Sequence, residues 1–227
     1  MDRASRNIIV AEELESLLGE KQSPKGEINT LAELAWELRI GQPERSKVFA
    51  TKAISQAQSG KFAGNLYKEG FAAGLVALAF LHFQVGELEE GMNKGLDALK
   101  ALGNSADSKV SARVWHILSH GSFFFGDFPA AMEQAQRALN LANKQDLLID
   151  KAWNLDVLAS IYGVLGEFEN AMQAHAESAD IFKRQNDIDG ILRSGNNLAM
   201  TLAGKNKYEK ALKEIQRVLE IARERKR

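Results

Sequence analysis

One period governs this sequence. GELEEG begins at residue 86, GDFPAA at 126, GEFENA at 166 and NKYEKA at 206, so four segments fall in phase at steps of 40 residues without a gap. Each opens on Gly or Asn, the residues that best tolerate a left-handed turn. A charged residue follows, then a large apolar one (Leu88, Phe128, Phe168, Tyr208), and three positions later a small one (Gly91, Ala131, Ala171, Ala211). Upstream of each turn stands a leucine followed by a small residue: Leu78-Ala79, Leu118-Ser119, Leu158-Ala159 and Leu198-Ala199. A unit of this length cannot bury an apolar face alone, so the copies must stack on one another.

The unit reads as a helix hairpin. A first helix ends at the Gly or Asn, the chain reverses, and a second helix returns, with small residues where the two cross most closely. A looser copy occupies residues 28–57, with Leu34-Ala35, a turn at Gly41, Pro43 in the first turn of the second helix and Ser46 as its small residue. Its distance to the next copy is 45 residues, which places a longer connection in SQAQSGKFAGNLYKEG (55–70). The segment 5–19 reads as a preceding helix and 19–27 as a linker, dividing the chain into 1–27 and a repeat domain over 28–227.

Between its 3 prolines the chain is rich in Ala, Leu, Glu, Lys and Gln, and no alternation of period two interrupts it. The fold class is therefore all-α. Turn glycines, the Leu-small pairs and the aromatic after each turn together resemble the tetratricopeptide repeat family. The match runs through Trp115, Leu118, Ser119, Gly126, Phe128, Ala131 and Ala138 in the third copy, and Leu158, Ala159, Tyr162, Gly166, Phe168 and Ala171 in the fourth. The resemblance covers residues 28–225 and implies a right-handed superhelical solenoid of antiparallel hairpins, about five repeats plus an N-terminal helix. Two departures stand out. Val218 replaces the usual small residue late in the last hairpin, and the repeat is 40 residues long, which lengthens the helices or connections such as NKQDLLID (143–150). Long repeats of this kind are similar to those in regulatory regions of bacterial signalling proteins and in scaffolding adaptors.

That family implies protein or peptide binding on a concave face lined by the first helix of each hairpin, and no catalysis. Transferred to this sequence, the face carries Ala32, Trp36 and Arg39, then Ala73, Val76, Phe80 and Phe83, then Arg113, His116, His120 and Phe123. It continues through Trp153, Asp156 and Ser160 to Arg193, Asn196, Asn197 and Met200. Phe124 lies at its edge, and Phe125 and Phe128 are expected in the core. Such a face suits a short amphipathic, partly acidic segment, with apolar anchors on Trp36, Phe80 and Phe83 and carboxylates on Arg113 and Arg193. Asn197 can donate to and accept from one peptide unit. A second reading makes the chain the sensory region of a larger signalling enzyme, a nucleotide cyclase or histidine kinase.

Other chemistries find little support. Cysteine is absent, which removes disulfides and thiolate nucleophiles together. His116 and His120 sit four apart but lack the glutamate and third ligand of a zinc motif, so no metal or cofactor is expected. No glycine loop ends in Lys-Ser or Lys-Thr, and "GNSAD" reads as a turn. A net charge of −1 gives no field for nucleic acid or membrane, and the apolar window 71–83 is too short to span a bilayer, so a cytoplasmic protein is expected. The last helix carries Leu212, Ile215, Leu219 and Ala222 on one stripe, a surface expected to meet a second copy of the chain or a following domain.

Overall fold

The structure, a computed structural model, describes residues 5–59, 66–103 and 108–225. These hold eleven helices and no strand. Helix α1 (Arg6–Leu18) precedes five antiparallel hairpins: α2 (Pro24–Leu38) with α3 (Pro43–Gln58), α4 (Lys68–Gln84) with α5 (Leu88–Leu102), and α6 (Lys109–Phe124) with α7 (Phe128–Lys144). Next come α8 (Leu148–Val164) with α9 (Phe168–Arg184), and α10 (Ile188–Gly204) with α11 (Tyr208–Arg225). The first helices of successive hairpins, α2, α4, α6, α8 and α10, touch one another in order and so line the inner face of the stack. The tetratricopeptide-type solenoid is the observed architecture.

The turns explain the period. Gly86, Gly126, Gly166 and Asn206 all have positive φ, between 58° and 82°. Each is followed by a residue whose N–H bonds the carbonyl five positions back, as in Asp127 to Ser122 at 2.9 Å and Glu167 to Tyr162 at 2.8 Å. That bond closes the helix and leaves the same residue to start the next one. Asp146 (φ 54°) and Asn186 (φ 52°) repeat the device between hairpins. From Gly126 onward the left-handed residue therefore recurs every 20 residues, and the added length of the repeat lies in long helices, while residues 145–147 make a tight turn.

Differences from expectation are local. Helix α2 begins at Pro24, inside the expected linker, because the Ser23 hydroxyl caps it by accepting from Gly26 N–H at 3.1 Å. The first turn runs through residues 39–42 without a left-handed residue at Gly41. The connection from Gln58 to Lys68 is the longer one expected, and its residues 60–65 lie outside those described, as do the expected turn at 104–107 and the last two residues.

Within each hairpin small residues set the crossing. Ala131, Ala135, Ala138 and Ala142 of α7 form a fully buried stripe. Serines bridge the same seam: Ser46 donates to the Ala35 carbonyl at 2.6 Å, Ser119 to Ala131 at 2.8 Å and Ser178 to Ala152 at 2.8 Å. Val218 breaks the small-residue rule in α11, and Gly195 on α10 compensates. A Cβ at 195 would lie 2.4 Å from the Val218 Cγ2, so the bulk moves from one helix to the other.

The opening aromatics of the third hairpin divide differently from expectation. Phe125 is exposed, not in the core, because it caps α6 where the chain already turns outward. Phe123 packs with Phe128 against Ala131, Val157 and Leu158. Phe124, exposed, takes the inner position beside Phe83 and His120.

Candidate binding groove

The concave face is largely filled by its own side chains. Cations and indole rings alternate along it. The Arg113 guanidinium carbon lies 4.7 Å from the Trp36 ring centroid, and Arg39 lies 3.8 Å from Trp36 and 5.1 Å from Trp153. Arg193 lies 5.3 Å from the far side of this column, at Trp153. Four of the five hairpins thus face Trp36, Arg39 and one another across the lumen, with Phe80 of α4 also 5.0 Å from Arg39. Cation–π contacts strengthen when desolvated. Ile40, next in sequence, packs with Trp153, Phe182 and Ile191.

Arg113 is held as a structural ion pair. It takes both Glu33 oxygens, at 2.8 and 2.9 Å, and Asp150 at 2.9 Å, while Lys109 adds a bond to Glu33 at 2.6 Å. Burial works to raise the Glu33 carboxyl, but Arg113 and Lys109 outweigh it and hold it well below the ordinary range. Arg39 has no such partner. Its Nη1 donates to the Trp36 carbonyl, whereas Nε and Nη2 are buried without a hydrogen bond among the described residues. Burial, with repulsion from Arg113 and against the pull of Glu37, lowers this guanidinium to about 10.

The two histidines stack, rings 6.3 Å apart and 12° from parallel. His116 pairs through Nδ1 with Asn154 at 3.2 Å. Arg193 Nη2 lies 2.8 Å from His120 Nε2, and since arginine can only donate, His120 carries its proton on Nδ1, which is buried and unpartnered. Burial first, then nearby Arg193, pushes His116 down to about 4 and His120 well below 6.5, so both are neutral at pH 7. Fully buried Asp156 accepts from Asn197 at 2.8 Å and Arg193 at 3.4 Å. His175 Nδ1 lies 3.3 Å from its other oxygen, but neither of those two atoms makes an aligned hydrogen bond.

The residues expected to bind a partner thus fall into two groups. Trp36, Phe80, Phe83, Arg113, His116, His120, Trp153 and Asp156 are buried, mostly against one another. Arg193, Asn197 and Phe123 are partly accessible, and Asn196 is exposed. The open portion lies between the C-terminal halves of α6, α8 and α10. A pocket of about 360 Å³ there has walls of Phe123, Phe124, Val157, Val164, Phe168 and Met200, with Ser160, Arg193, Asn197 and Thr201 as polar points. A shallower hollow of about 630 Å³ adjoins it, bounded by Ile40, Phe83, Asp189, Leu192 and Asn196. His120, Phe124, Arg193 and Asn197 border both. Glu33, Asp150, Val164, Phe168 and Thr201 were missed by sequence reasoning. Thr201 and Val164 each sit one position beyond the concave register, and nothing local marks Glu33.

Among the described residues no three His, Asp or Glu side chains are grouped to hold a metal, and no helix is long and apolar enough to cross a membrane.

Comparison with known proteins agrees with this architecture. Residues 191–225, the α10–α11 hairpin, match a tetratricopeptide repeat family model. BtubC from P. vanneervenii superimposes with a TM-score of 0.63 at 16% identity, covering 99% of this chain and 93% of its own. A Rap protein complexed with competence and sporulation factor gives 0.71 at 14% identity, covering 96% and 70%. Nearly identical TPR-like repeats of a putative kinesin light chain from Podosopora anserina give 0.54 at 15%, covering 91% and 99%. No curated protein sequence matches. At these identities the likeness is one of fold, and the chain is a solenoid of tetratricopeptide-type repeats.

Proposed function

We propose that this protein is a non-enzymatic binding module that holds a short segment of a partner protein at the α6–α8–α10 pocket. One observation carries the reading: apolar walls and convergent polar groups coincide on the one concave stretch that the chain's own side chains leave open. A pocket of about 360 Å³ suits one large apolar side chain, and it opens at Arg193 and Asn197 into the adjoining hollow. Arg193 already spends its Nε on Asp156 and its Nη2 on His120, which fixes the guanidinium and leaves Nη1 to meet an acceptor. A carboxylate or backbone carbonyl beside a buried aromatic or aliphatic anchor is the complementary ligand. A Rap protein of the same fold was solved in complex with competence and sporulation factor, which supports ligand-holding by an array of this shape.

The test is selection from a displayed library of random peptides, followed by binding measurements on variants. Phe124→Ala and Asn197→Ala should each weaken the selected peptides by about tenfold, the worth of one contact of about 1.4 kcal/mol. Peptides that bind both variants like the parent would move the site elsewhere.

A further inference from the structure

The N-terminal residues reach across the solenoid. Arg6 N–H donates to the Asn186 carbonyl at 3.0 Å, and the Ser5 hydroxyl oxygen accepts from Ile188 N–H at 3.2 Å. The Asn7 amide donates to Asp189 at 2.5 Å, and the Arg6 guanidinium to Glu37 at 2.7 Å. Three consecutive residues of the first helix are thereby seated on the turn before α10, about 180 positions along the chain. Ser5 and Asn7 are both more than nine-tenths buried. This is the pattern of a bound peptide: a main-chain bond fixes register and alternate side chains meet their own polar partners.

Electrostatics give the seat its preference. Glu37, Asp187 and Asp189 are all buried there and lie within one another's fields. Burial first, and then Asp189 and Glu37, raise the Asp187 carboxyl against its cap bond from Gly190 and the charge of Arg39. Arg39 forms no ion pair with any of the three, so Arg6 is the guanidinium bonded directly to the cluster. Without it, three buried carboxylates would face Arg39 alone, a costly excess of one sign. The rest of α1 is held separately, Ala11 packing on Leu34 and Leu38 of α2, so its first turn can leave while the helix stays.

We propose that this notch is a second binding site, specific for a short cationic segment with an arginine followed by an amide side chain, and that residues 5–7 occupy it in cis. Asp189 also borders the hollow beside the α6–α8–α10 pocket, so a segment that displaces the first turn of α1 widens the mouth of the groove. This site is distinct from the pocket assigned above and stands or falls without it.

The test uses the full chain and an acetylated, fluorescently labelled SRNIIVA peptide, which repeats residues 5–11. The Arg6→Ala/Asn7→Ala chain, checked by circular dichroism for an intact melting transition, should bind this peptide at least ~10-fold more tightly than the parent, because cis occupancy no longer competes. Adding Asp189→Asn should remove that gain, and a peptide with glutamate in place of arginine should not show it. Equal binding to both chains, or binding to neither, overturns the proposal. Should the double variant not fold, amide exchange of Ile188 in the parent decides. It should quicken at saturating peptide, and an unchanged rate overturns the proposal equally.

Discussion

The guanidinium of Arg39 is sandwiched between two indoles, 3.8 Å from the Trp36 ring centroid and 5.1 Å from that of Trp153. Trp36 belongs to the same helix, Trp153 to α8, so one side chain ties the first hairpin to the fourth. Two of its nitrogens are buried without partners, which sets aromatic attraction against an unmet hydrogen-bonding demand. Arg39→Met keeps the volume and removes both the attraction and the demand, and should change stability by less than about 1.5 kcal/mol. Arg39→Ala opens a cavity and should cost about 2–4 kcal/mol. Urea denaturation of the two variants checks the gap between them.

The hairpin seams give a second expectation. Ala131 and Ala171 are fully buried at equivalent close crossings, so Ala131→Leu and Ala171→Leu should each destabilise by about 1–3 kcal/mol. Thermal melting at the parent's temperature for both variants would mean that the crossings lie elsewhere.

Gly195 and Val218 should be energetically coupled. Gly195→Ala places a methyl 2.4 Å from Val218 Cγ2 and should destabilise despite the better helix propensity of alanine. Val218→Ala removes that obstacle, so the double variant should recover at least about 1 kcal/mol relative to additivity in a double-mutant cycle. Strict additivity would argue against the exchange of bulk between the two helices.

Stability should fall with acid earlier than carboxylate titration alone allows. His116 is lowered from its ordinary 6.5 to about 4, so between those values the unfolded chain binds a proton that the folded chain refuses. The stabilising contribution is complete above pH 6.5, is lost as pH falls towards 4, and amounts to about 3 kcal/mol. His120, also lowered, acts in the same direction, and Glu33 adds a further loss at lower pH, where its unfolded form protonates first. Asp187, raised, works in the opposite sense. Urea midpoints at pH 7 and pH 5 should therefore differ clearly in the parent and less in His116→Gln. An identical pH dependence in the two would contradict the assignment.

Much of this architecture was legible in the sequence because its causes are local. A left-handed residue every 40 positions announces itself as Gly or Asn, and the small residues that follow are fixed by the crossing of adjacent helices. The half-period turns at Asp146 and Asn186 were less visible, since Asp in NKQDLL resembles any polar loop residue. The concave register of Arg113, Trp153 and Arg193 followed from the same period. Their burial did not. It depends on how far the stack curves over five hairpins, a sum of small rotations that brings Arg39 to Trp153 and Ser5 to Ile188. The contacts of Glu33 with Arg113 and of Asn7 with Asp189 arise only after that curvature, so no spacing in the sequence encodes them.

The most direct test of the binding assignment places a photo-crosslinking amino acid at single positions and maps adducts with peptides selected against the parent. Phe124 and Met200, at the mouth and wall of the α6–α8–α10 pocket, should give adducts. Leu96 on α5 and Leu212 on α11, exposed outside that pocket, should not. Adducts at Leu96 or Leu212 with none at Phe124 and Met200 would contradict the account.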